Sequence, residues 1–129
     1  MSHRPPQLDR RSGRSSDTFV SLCRLLDATR RSRGLHALAV ADAAGCLVAG
    51  SGAAQVCEEL AAVSTLPAND PILDELGYGA GRRRIRQVLI DGMAVSISAL
   101  GDADDDDYLR LSDGCRRILT ESFGRAAAR

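Results

Sequence analysis

Residues 35–52 read LHALAVADAAGCLVAGSG. Two short apolar runs flank Asp42-Ala43-Ala44-Gly45. An Asp side chain can bond the backbone that follows it, and Gly can take a positive φ, so this tetrapeptide predicts a turn. Leu35 to Ala41 is apolar at nearly every position, which predicts a strand covered on both faces. His36 is expected to pack inside that strand. Cys46 to Ala49 is the return strand, and Gly50, Ser51 and Gly52 release the chain.

Helices are predicted on either side of this hairpin. Upstream, Phe19, Leu22, Cys23 and Leu26 form one apolar stripe at helical spacing, with Ser16 or Asp17 as the N-cap. Arg30, Arg31 and Arg33 suit the negative end of the helix dipole, and Gly34 is the stop. Downstream, Ala53 to Leu66 is a second helix whose face carries Val56, Cys57, Leu60, Ala61, Val63 and Ser64. Pro67 ends it. Asp70-Pro71 caps a further turn, Ile72 to Leu76.

Arg82 to Leu100 predicts a second hairpin about the two-residue turn Asp91-Gly92. Counting outward, Ile90 faces Met93, Val88 faces Val95 and Arg86 faces Ile97. The other face pairs Leu89 with Ala94, Gln87 with Ser96 and Ile85 with Ser98. A one-residue slip would misplace every side chain. Tyr108, Leu111, Ser112, Cys115, Ile118, Leu119 and Phe123 mark a final helix. The expectation is an α/β sandwich (α+β): a mostly antiparallel sheet with helices on both faces, order α-β-β-α-β-β-α, with a further strand left open. Residues 16–125 form one domain between an Arg-rich arm, 1–15, and a tail, 126–129, both expected to be disordered.

Composition narrows the chemistry. All 17 cations of the 129 residues are Arg, so no Lys can act as a Schiff-base nucleophile or phosphate-loop cation. Aromatics make up 3%, too few to stack bases, which argues against nucleic acid. The net charge is zero but alternates in blocks: +5 over residues 1–34, −6 over 35–81, +3 over 82–101 and −2 over 102–129. Such alternation suits recognition of a second copy. Cys23, Cys46, Cys57 and Cys115 have no metal-ligand spacing and read as reduced, mostly buried thiols of a cytoplasmic protein. No apolar run reaches the roughly 20 residues of a membrane span, so no membrane insertion is expected.

No catalytic constellation emerges. Gly77-x-Gly79-x-Gly81 follows a helix and opens a strand, the reverse of a phosphate-binding loop, and reads as a connector. Gly50-Ser51-Gly52 sits between strand and helix, yet it lacks the full anion-loop spacing. Glu58 and Glu59 are adjacent, about 100° apart on a helix, and cannot converge as acid and base. The acidic run Asp104 to Asp107 suits a helix N-terminus. No metal or cofactor is expected. Arg82, Arg83, Arg84 and Arg86 are the strongest electrostatic feature. Alternation sends Arg82, Arg84 and Arg86 to one side and Arg83 to the other, either to guard a sheet edge or to meet an acidic partner.

LHALAVADAAGCLVAGSG followed by AAQVCEELAAVSTL resembles the roadblock / dynein light chain superfamily. The leading helix and VLIDGMAVSISALG extend the resemblance over roughly residues 17–123. It implies a homodimer in which the middle helices pack together and the strand after them pairs across the two-fold. That places the interface on Val56, Leu60, Val63, Arg82, Arg84, Arg86 and Val88. Arg83, Glu58 and Glu59 are then partner contacts, and Glu58, Glu59 or Asp74 of the mate offset the arginines. On this resemblance Leu60→Arg should give a soluble monomer. The implied function is a non-enzymatic platform or regulator for a small Ras-like GTPase or another acidic cytoplasmic partner. The alternative reading is a small GAF-like sensor holding a ligand between sheet and helices.

Overall fold

The computed structural model describes residues 12–67, 69–78 and 82–127. Helix α1 spans Ser12–Arg33, strand β1 Ala37–Asp42, β2 Leu47–Ser51, helix α2 Ala54–Val63, α3 Pro71–Glu75, β3 Arg83–Ile90, β4 Met93–Leu100 and α4 Asp105–Ala127. The four strands form one antiparallel sheet in the order β2-β1-β4-β3. No fifth strand occurs among the described residues. The expectations for residues 1–11 and 128–129, and for Gly79 and Gly81, lie outside the described residues, as does the side chain of Phe123, while residues 126–127, expected in a disordered tail, continue α4.

Both hairpins follow their local chemistry. Asp42 Oδ1 accepts the N–H groups of Ala44 (3.0 Å) and Cys46 (2.9 Å), and Gly45 takes φ +85°. In the second hairpin Asp91 and Gly92 both have positive φ, 52° and 80°. That is the primed turn whose twist matches the strands. Ile90 pairs with Met93, Val88 with Val95, Arg86 with Ile97 and Gln87 with Ser96, the predicted register.

Helices cover both sheet faces. Alternation sends Leu38, Val40, Ile90 and Ile97 to one face, where Leu22 and Leu26 of α1 and Leu111 and Cys115 of α4 close the larger core. The opposite face presents Ala37 and Ala39 to Cys57 and Leu60 of α2, with Leu73 and Tyr78 beside them. The small β1 side chains let α2 lie close to the sheet.

Several boundaries and burials differ from expectation. Helix α1 begins four residues before Ser16, and α2 ends at Val63 rather than Leu66. Single caps and prolines locate helix ends only to within a few residues. Phe19, placed on the buried stripe, is exposed and lines a depression beside Leu47 and Val48 of the edge strand β2. His36 lies before β1 and is exposed, not packed in a strand. Gly34 (φ +66°) and the bond from Leu35 N–H to Arg30 O (3.0 Å) turn the chain there, ahead of the ladder. The four cysteines are free; Cys57 and Cys115 are buried, Cys23 is half-buried and Cys46 is exposed at the first turn.

Candidate functional site

Strand order leaves β2 and β3 as the two sheet edges. β3 is the longer, with eight residues and an unbroken register against β4. Its backbone is divided by parity. Arg82 O accepts the N–H of Gly101 at 3.0 Å, so the even-numbered residues exchange bonds with β4. Arg83, Ile85, Gln87 and Leu89 therefore direct N–H and C=O toward the open edge.

The side chains divide the same way. Arg84 lies on the α4 side, its guanidinium 5.6 Å from the Tyr108 ring centre. It donates to Ala103 O (2.6 Å) and pairs with Asp105 (3.0 Å), while Tyr108 Oη donates to Arg84 O (2.6 Å). Burial pushes the Tyr108 phenol up to about 12, which keeps it a neutral donor. Arg83 points to the other face and donates to Val63 O (3.2 Å). Arg82, Arg86 and Gln87 are exposed, and Leu89 is 68% exposed. Val88 is buried at 7%.

Helix α2 presents a different face from the one the resemblance suggested. Leu60 and Val63 are 0% and 6% exposed, covered by the sheet of their own protomer, and Val56 is half-buried against the same cluster. A helical stripe shows that a face is apolar but not what covers it. Leu60→Arg would therefore bury an unpaired charge and unfold the protomer, not merely separate a dimer. The outer face carries Gln55, Glu58 and Ala62. Glu59 turns aside to accept from Tyr78 Oη. Burial, and then that carboxylate, push the Tyr78 phenol up to about 12.

The remaining polar candidates are internal ties. Ser51 is buried; it donates to Asp27 and accepts from Arg30 Nε at 2.7 Å. This clamps α1 to β2 and occupies the hydroxyl that an anion would need. Arg33 pairs with Asp104 (2.8 Å) and Asp107 (2.9 Å). Asp104 and Asp107 accept each other's backbone N–H at 2.9 Å, capping α4. That N–H holds the Asp104 carboxyl below the usual carboxylate range. A 400 Å³ depression lined by Arg83, Arg84, Asp102 and Asp104 is thus matched in charge by its own walls. Among the described residues no group of three or more His, Cys, Asp or Glu could hold a metal ion.

Sequence reasoning missed the Arg84–Tyr108, Arg33–Asp107 and Tyr78–Glu59 contacts. Strand alternation separated Arg83 from Arg84, but nothing local places Arg84 over a residue 24 positions away.

No family model matches the chain, and no curated protein matches it. Solved structures do. Myxococcus xanthus MglB is 13% identical, with a TM-score of 0.52 over 97% of this chain and 96% of that one. The gliding protein MglB from Thermus thermophilus is 18% identical, with a TM-score of 0.54 over 81% and 92%. An MglB with a tetrameric arrangement is 16% identical, with a TM-score of 0.56 over 81% and 92%. The chain shares the roadblock/longin-like fold of these proteins. No described helix is long and apolar enough to cross a membrane.

Proposed function

We propose that this chain is a non-enzymatic, dimeric interaction module that scaffolds or regulates a small Ras-like GTPase or another acidic cytoplasmic partner. The observation that carries the reading is β3: a regular edge strand whose odd-numbered backbone groups face outward. An unpaired strand of this length is a template for another strand. A second β3 satisfies it, and both α2 helices then lie on the same side of the joined sheet. The shared fold with MglB, one solved example of which is tetrameric, supports self-association. The roadblock resemblance supports the GTPase partner.

Sedimentation of the pure protein at several salt concentrations tests the assembly. A dimer at micromolar concentration is expected, and a monomer throughout would overturn it. Titration with a purified Ras-like GTPase, loaded with GDP or a GTP analogue, tests the partner. Binding that differs between the two nucleotides is expected; absence of binding to either would remove the GTPase from the proposal.

A further inference from the structure

We infer that the two copies join with Gln87 on the two-fold axis, so that Gln87 faces Gln87 of the second copy. The inference rests on the dimer proposed above and adds the register, which follows from parity and charge. A continuous sheet with both α2 helices on one side requires a two-fold perpendicular to the sheet. Such an axis keeps each side chain on its own face, so odd residues oppose odd and even oppose even. The axis must then pass through a residue and never between two.

Only a few centres give a useful overlap. Centring on Ile85 sets Arg84 opposite Arg86 twice. Centring on Arg86 sets Arg86 opposite itself. Like charges directly opposite destabilise an antiparallel pair. Centring on Val88 avoids this but shortens the overlap and sets Ile85 against Asp91. Centring on Gln87 keeps a seven-residue overlap, from Arg84 to Ile90. It opposes Ile85 to Leu89 twice, covering the most exposed large hydrophobic side chain among the described residues. It also opposes Arg83 to Asp91, Arg84 to Ile90 and Arg86 to Val88, so no arginine faces another. Gln87 N–H and C=O already point outward, so the central pair exchanges two backbone bonds.

Cysteine cross-linking reads this register. In a Cys46→Ser background, which removes the exposed native thiol, Ile85→Cys, Arg86→Cys and Gln87→Cys are each oxidised under mild conditions. Facing Cα atoms in a bonded pair lie about 5.5 Å apart, within disulfide reach. The diagonal separation of the two residues 86 is about 8 Å, beyond that reach. Thermal melts of each variant confirm folding. Gln87→Cys is expected to form covalent dimer at least ~10-fold faster than the other two, as a one-residue offset already exceeds disulfide reach. Faster linkage at 85 or 86 overturns the register but leaves the dimer. No linkage at any position, in a protein that sediments as a dimer, moves the two-fold off residues 85–87 and also overturns the inference. A wild-type monomer overturns both readings.

Discussion

The two sheet edges of this molecule are built to opposite ends. β2 has five residues, and its pairing with β1 is broken by a register shift at Val40/Ala41 that leaves Val48 unopposed. α1 grips it through Ser51, and α2 lies so close that a Cβ on Gly50 would meet the Cys57 side chain at 2.8 Å. β3 is longer and unbroken, and only its even-numbered residues are bonded inward. Short length, a bulge and cover are devices that blunt an edge. β2 carries all three, while β3 carries only arginine side chains and leaves its outward backbone groups uncovered. Edge order alone therefore does not distinguish the two edges; regularity and cover do.

Proline substitution breaks the comparison most sharply. Val88→Pro removes a bond to β4 and should cost about 3 kcal/mol or more in chemical denaturation. Gln87→Pro removes only an outward N–H, so the fold should persist while sedimentation shows loss of the dimer. Equal destabilisation by the two would mean that the parity of β3 is wrong.

On the β2 side, Gly52→Val is the next largest. Gly52 has φ +110°, and a Cβ there would lie 2.7 Å from His36 O. Backbone strain and steric overlap together should cost roughly 2–4 kcal/mol, read as a lowered denaturation midpoint with an unchanged slope. Ser51→Ala removes the hydroxyl between Asp27 and Arg30 and should cost about 1–2 kcal/mol, without change in self-association. A dimer lost in this variant would implicate the β2 edge instead.

The smallest effect lies at the cap of α4. The Asp104 carboxyl is depressed, so its contribution is complete above its unfolded value and is lost as pH falls through the folded one. Asp104→Asn should lower thermal stability slightly at neutral pH, and the difference from wild type should shrink in acid. A difference that grows as pH falls would reverse the assignment.

The elements closest to local chemistry were the most legible. Asp42 and Gly45 announced one turn and Asp91-Gly92 the other, and the second fixed a register that the sheet keeps residue by residue. Asp70-Pro71 likewise capped its short helix, with Asp70 Oδ1 accepting Ile72 N–H at 3.0 Å. The candidate site was less legible. The apolar face of α2 was visible, but Leu60 turned out to be sealed by its own protomer. Period says which residues share a face, and the same period serves an inner core and an outer interface.

Turn type, strand parity and the two apolar faces of the sheet were thus determined by sequence alone, because each depends on residues within a few positions of one another. Strand order, the choice of β3 over β2 as the open edge, and the covering of Leu60 were decided only by the tertiary structure. Those depend on contacts such as Arg84 with Tyr108 and Ser51 with Asp27, between residues more than 20 positions apart, which no local pattern encodes.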